Sequence, residues 1–161
     1  MTVAFNIRVH KSEGVLELFS GDACVRRISC ITGTNKGDKE MEGDRRTPVG
    51  HFRVVYKNPN SKFFLSLGLN YPRILDANRG LFTGLLTYPV YRQLVHDLIT
   101  ADMTLETVQD RVWKTPLGGE IFIHGCAEGR SDTAGCVALS NPDMLQLFHQ
   151  IPLGTSVEIL P

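Results

Sequence analysis

The first third of the chain alternates apolar and polar residues with a period of two, and that alternation restricts it to a strand-rich fold. Phe5, Ile7 and Val9 share one face, and Lys11-Ser12-Glu13-Gly14 supplies a turn. Val15 to Phe19 returns as a second strand closed by Ser20-Gly21-Asp22, and Cys24 to Ile31 reads as a third. Successive side chains of a strand point to opposite faces, so this spacing describes ribbons with one buried side. A polar, charged loop covers Lys36 to Arg46. Thr47-Pro48-Val49-Gly50 then opens a strand over His51 to Tyr56, Lys57 to Lys62 reads as loop, and Phe63 to Leu69 reads as strand. Helices do not alternate regularly with these strands, which excludes a doubly wound parallel sheet.

The period changes in the middle of the chain. Pro89 suits a helix's first turn, and Val90, Leu94, Val95 and Leu98 fall on one helical face. Leu105, Val108 and Val112 predict a second short helix after Thr104. Asn141-Pro142-Asp143 reads as a helix start with Asn141 as its cap, and Met144, Leu145, Leu147 and Phe148 as the buried face behind it. Val157 and Ile159 close the chain as a last strand. The expectation is a mainly β fold with short helices (α+β), in one domain over residues 1–161. With 42% hydrophobic residues, the chain can build a core without metal or disulfide staples.

Charge narrows the range of partners. Lys plus Arg and Asp plus Glu both number 17, so the net charge is zero and neither nucleic acid nor an anionic membrane is an expected partner. No apolar run approaches the ~20 residues of a membrane span. No secretory signal is read after Met1, so the chain is expected either to lack one by nature or to be a mature form with a new Met1. The four cysteines, Cys24, Cys30, Cys126 and Cys136, form no paired CxxC clips. Cys24 and Cys30 lie six residues apart in one strand, where they point the same way at roughly 20 Å, too far for a bridge.

The chemistry concentrates in Ile121-Phe122-Ile123-His124-Gly125 and Thr133-Ala134-Gly135-Cys136-Val137. One apolar strand ends in His-Gly and another begins with Gly-Cys, with a small polar loop between. A thiol has a free pKa of ~8.5 and attacks as its thiolate, so it needs a base such as imidazole to take its proton. The amides of Gly135 and Cys136 are candidate oxyanion donors, and Gly125 allows a tight turn after the histidine. From the pattern alone, a core cysteine and a merely hydrogen-bonded histidine remain the competing reading. His124, Cys126 and Cys136 lack a fourth ligand at a usual spacing, so neither a metal nor a cofactor is expected.

The same stretch resembles the signature of L,D-transpeptidase (YkuD-like) catalytic domains, which is His-Gly, a spacer, then Ser/Thr-x-Gly-Cys. Gly43-Asp44-Arg45-Arg46-Thr47-Pro48-Val49-Gly50-His51-Phe52 resembles that family's Gly-Asp-x-Arg-Thr-Pro-x-Gly-x-Phe block. Lys57 to Phe63, Ser66 to Pro72 and Thr115 to Ile121 are similar to further blocks of one subgroup, so the likeness runs nearly end to end. The resemblance implies two mixed β-sheets in a sandwich-like arrangement. It also implies a cysteine that attacks the third residue, usually meso-diaminopimelate, of a peptidoglycan stem peptide and releases D-Ala. An amine or water then resolves the thioester, giving transfer or carboxypeptidase activity. By motif position Cys136 is nucleophile, His124 base and Thr133 a hydrogen-bonding support. Arg46, Tyr71, Gly125, Ala134 and Arg130 are candidate substrate contacts, with Arg45 a further basic candidate. The implied site of action is the periplasm or cell envelope, reached as a mature protein or as a secreted antibacterial effector. The chain departs from many members at Ala134, where they carry His, and at Ala138, where they carry Arg or Asn. Cys126 is read as a spectator thiol rather than a redox lock on Cys136.

Overall fold

A computed structural model describes residues 4–100, 104 and 107–161. Eight strands form one mixed sheet: β1 (Phe5–His10), β2 (Val15–Ser20), β3 (Ala23–Ser29), β4 (Gly50–Ser61), β5 (Phe64–Leu69), β6 (Phe122–His124), β7 (Val137–Ala138) and β8 (Ser156–Leu160). Their spatial order is β3-β2-β1-β8-β4-β5-β6-β7. β8 runs parallel to β1 and β7 parallel to β6, and the other pairings are antiparallel. The fold is thus mainly β with short helices, but the two expected sheets are halves of one. β4 joins them, since residues 50–53 pair with β8 and residues 54–61 pair with β5. Paired backbone bonds between Ile31 and Ala138, at 3.0 and 2.9 Å, bring the two ends of the sheet back together.

The pleat of the β4–β6 half divides its side chains between two apolar clusters. Ile123, Val137, Leu67, Val157 and Ile159 enter the main core with Met144 and Leu147 of a helix, α3 (Asn141–Gln150). The opposite face of the β4–β6 half carries Tyr56 and Phe122, packed with Trp113, Leu94 and Leu117. Two helices, α1 (Ile74–Phe82) and α2 (Tyr88–Thr100), lie on this side.

Several local expectations need correction. Lys57 to Lys62 is not loop: β4 continues to Ser61, where backbone pairing with β5 holds polar residues in the ladder. The sequence reading has no counterpart to α1, whose large residues Ile74, Leu75 and Phe82 are exposed while Ala77 and Gly80 are buried. Its start is fixed by the buried Asp76 carboxylate, which accepts from the Arg73 backbone N–H at 2.8 Å and from its guanidinium at 2.9 Å. The cap of α3 is Ser140, whose Oγ accepts from Asp143 N–H, and Leu145 faces solvent. Val108–Val112 forms a π-helical turn, and Leu105 lies outside the described residues. Cys24 is exposed while Cys30 is buried, because a bulge shifts the β2–β3 register and turns Cys24 away from the core face. All four cysteines are free thiols. Among the described residues, no helix is long and apolar enough to cross a membrane.

Candidate active site

The β6–β7 register brings the two expected residues together. His124 lies opposite Ala138 and Ile123 opposite Val137. Cys136 stands two residues before Ala138, so it shares the face of His124, one strand across and one step along. Strand spacing and rise put their Cα atoms about 8 Å apart, within reach of two side chains turned toward one another. Cys136 is half-buried, while His124 is only 2% exposed.

The thiol is held at the rim of β6. Its Sγ donates to the Glu120 carbonyl at 3.2 Å, and the Phe122 N–H donates toward the sulfur. Glu120 itself adopts a left-handed backbone with φ 57. Among the described residues, no hydrogen bond joins the thiol to the imidazole. The thiol and the imidazole thus make no direct hydrogen bond: a half-buried cysteine lies beside a ring that is covered. Burial pushes the thiol up to about 11, against the lowering effects of the Phe122 amide, Lys39 and Lys62.

Phe63 covers His124, with stacked rings whose centroids are 4.4 Å apart at 20°. Arg130 also lies over the Phe63 ring, 5.4 Å from its centroid. His124 Nδ1–H donates to the Gly125 carbonyl at 2.6 Å, which assigns the tautomer and leaves Nε2 with a lone pair. Burial holds the imidazole below its ordinary value of 6.5, the Gly125 bond opposes that shift and Arg130 adds to it. Both groups are therefore neutral near pH 7.

The loop before the sulfur is organised by Thr133. Its hydroxyl accepts from Gly135 N–H at 3.0 Å and donates to the Cys136 carbonyl at 2.7 Å. Gly135 N–H, one of the two amides expected to face an oxyanion, is therefore occupied by Thr133. Gly135 has a different duty: its φ is 142, and a Cβ there would come within 2.9 Å of the Arg46 carbonyl. Arg46 thus abuts the loop through its backbone, while its guanidinium pairs with Glu40 at 3.2 Å. Arg45 ties the same loop from outside by bonding Thr34 and Asp132.

Gly125 is packed too closely for a side chain, since a Cβ would lie 2.5 Å from Asn141 Oδ1. That oxygen accepts from Cys126 N–H at 2.8 Å, so Asn141 braces the site loop. Cys126, half-buried with φ 61, sits in the turn after the histidine. Ala134 is exposed beside Cys136. Tyr71 does not wall a cleft: it is 1% exposed and its hydroxyl donates to the Leu117 carbonyl inside the core. Sequence reasoning missed Phe63, Glu120 and Asn141. Only the closeness of Glu120 and Asn141 to the His-Gly and Gly-Cys elements could have pointed to them.

The family model for the L,D-transpeptidase catalytic domain (YkuD) matches residues 5–159. No curated protein matches the chain significantly. Among solved structures, the helical cell shape determining protein Pgp2 from Campylobacter jejuni is similar at 24% identity, with a TM-score of 0.63 over 97% of this chain and 47% of that one. An L,D-transpeptidase from Mycobacterium smegmatis shares 9% identity with a TM-score of 0.59, over 99% of this chain and 59% of that one. L,D-transpeptidase 1 of Mycobacterium tuberculosis shares 12% identity with a TM-score of 0.54, over 99% and 62%. The chain thus spans about half to three-fifths of the length of these proteins. These likenesses carry the fold, and the profile match over nearly the whole sequence carries the membership: the chain belongs to the L,D-transpeptidase catalytic-domain family.

Proposed function

We propose that the protein performs cysteine-dependent acyl transfer on peptidoglycan stem peptides, with Cys136 as nucleophile and His124 as general base. The observation that carries this reading is a half-buried thiol on the same sheet face as an imidazole whose Nδ1 is committed to Gly125. A χ1 rotation moves Sγ from the Glu120 carbonyl toward Nε2, one staggered well to another. Nε2 takes the thiol proton as sulfur attacks the carbonyl carbon of the third stem residue, meso-diaminopimelate in the family pattern. The Cys136 amide faces the developing oxyanion. The tetrahedral adduct collapses, the C–N bond breaks, and the imidazolium returns the proton to the departing D-Ala amine. An amine acceptor or water then attacks the thioester with His124 again as base, and the thiol is restored. Such a substrate places the activity in the periplasm or cell envelope.

The LD transpeptidase LdtMt1 has been solved in complex with imipenem, which makes a carbapenem a direct probe. Intact mass after imipenem treatment is expected to show one covalent adduct, absent from Cys136→Ala. Incubation with disaccharide tetrapeptide then separates outcomes: a cross-linked dimer means transfer, and a tripeptide with free D-Ala means hydrolysis. The proposal is abandoned when neither product forms and Cys136→Ala behaves as the parent.

A further inference from the structure

Two exposed cations, Lys62 and Arg130, gather over one ring beside the Cys136–His124 pair. Lys62 Nζ is 5.1 Å and the Arg130 guanidinium carbon 5.4 Å from the centroid of Phe63, the ring that stacks on His124. The acids nearest to Arg130 in the chain are committed elsewhere: Glu128 accepts from Asn141 N–H at 2.9 Å, and Asp132 pairs with Arg45 at 3.2 Å. Among the described residues, neither cation has an acidic partner. A single solvated cation is ordinary, but two unpaired like charges on one ring repel each other, and their meeting point is suited to an anion.

The two ends of β6 differ in charge. At its entry Glu120 is exposed, its carbonyl accepts from Cys136 Sγ at 3.2 Å, and its negative charge pushes the thiol up. At its exit Gly125 N–H donates to the Phe63 and Leu65 carbonyls at 3.1 and 3.2 Å, which seats the β4–β5 turn, with Lys62, next to His124. The loop that carries Arg130 leaves from the same end, where Arg130 N–H donates to the Ala127 carbonyl at 3.1 Å. Both cations act on the pair: Lys62 lowers the thiol, and Arg130 opposes protonation of His124. The reactive pair thus lies between a carboxylate at the Cys136 end and two cations at the His124 end.

We propose that Lys62 and Arg130 bind the free carboxylate of the amino acid that departs when Cys136 is acylated. This rests on the acyl-transfer reading and assigns the leaving-group end of that site. The imidazole has to stand about 3 Å from the amine it protonates. In an α-amino acid only the Cα separates that amine from the carboxylate, so the carboxylate falls at the His124 end. There it meets two unpaired cations, and it lies away from Glu120, which would repel it. Lys62 offers an ammonium and Arg130 a planar fork, together enough charge-assisted donors for both oxygens. The donor peptide is therefore selected for ending one residue beyond the bond that breaks, with its terminal carboxylate free.

Calorimetry in a Cys136→Ala background tests this with two ligands, disaccharide tetrapeptide and its C-terminal amide. The acid is expected to bind about tenfold more tightly than the amide. Lys62→Gln combined with Arg130→Gln is expected to bring that ratio close to one, while Lys62→Arg combined with Arg130→Lys preserves the preference. A folding defect weakens both ligands together, so the ratio isolates recognition of the carboxylate. Raising the salt from about 50 to about 500 mM should also compress it. A ratio that survives in the double Gln variant overturns the subsite, whatever the absolute affinities, and so does a Cys136→Ala protein that binds acid and amide alike or binds neither. With the native cysteine, turnover of acid and amide at equal rates overturns the subsite and leaves acyl transfer standing. A cation-dependent preference for the acid without any turnover overturns acyl transfer and leaves the subsite standing.

Discussion

Cys136 rests in surroundings that oppose its ionisation, with its thiol pushed up to about 11 by burial, while burial also holds His124 below 6.5. A pre-formed thiolate–imidazolium pair is disfavoured at both ends, so in the proposed acyl transfer the proton moves as sulfur attacks. The sign of the pH dependence follows. Below the depressed His124 value the imidazole is protonated and cannot act as base. As pH rises through that value the base appears, and the rate levels off at neutrality. Imipenem acylation followed by stopped-flow should thus rise with a midpoint below pH 6.5 and show no second rise near ~8.5; a midpoint at the free-thiol value would remove His124 from the proton path. Thr133 offers a second test, because the hydroxyl of this buried residue serves both Gly135 N–H and the Cys136 carbonyl. Thr133→Val strands both groups at a cost of about 2–3 kcal/mol. Urea unfolding should show the loss, acylation should slow with it, and Thr133→Ser should restore both.

One carboxylate gathers four bonds within the loop between β3 and β4. Asp44 accepts from Lys39 Nζ at 3.0 Å, Glu40 N at 2.7 Å, Met41 N at 3.1 Å and Arg46 N at 3.1 Å. Burial alone would raise the Asp44 carboxyl, but these bonds outweigh it and hold the group below its ordinary 3.8. A depressed acid contributes stability above its unfolded pKa and loses it as pH falls through the folded one. Asp44→Asn should therefore cost about 2 kcal/mol at pH 7. Urea midpoints of parent and variant should converge as pH drops below 3.8; a gap that persists in acid would assign the loss to shape rather than charge. The Gly43 to Phe52 block was legible in sequence as a unit, yet Arg46 invited a reading through its charge when its carbonyl is what meets Gly135. The His124 and Cys136 elements were legible because motif and strand ends coincide. Tyr71 could not be assigned to the core from sequence, since its place depends on the Leu117 carbonyl, 46 residues away in the chain, meeting its hydroxyl. Likewise the start of α1 rests on the Arg73–Asp76 network, a contact between polar groups that residue spacing does not show.

The last strand in sequence lies fourth in the sheet, and the whole molecule depends on that placement. β8 pairs in parallel with β1 through residues 156–160 and antiparallel with β4 through residues 50–53. It therefore joins the β1–β3 half, which holds much of the main core, to the β4–β7 half that presents Cys136 and His124. Ile159 and Val157 are both fully buried within that junction. Ile159→Ala removes apolar contacts shared by both halves and should cost about 2–5 kcal/mol. Val25→Ala, on β3 at the end of the sheet order and 49% exposed, should change stability by no more than about 0.5 kcal/mol. If the halves unfold as one cooperative unit, Ile159→Ala lowers the midpoint read by circular dichroism and the midpoint read by imipenem reactivity of Cys136 by equal amounts. A site whose reactivity survives after the far half has melted would mean that β4 to β7 stands alone, and that β8 merely attaches a neighbour to it.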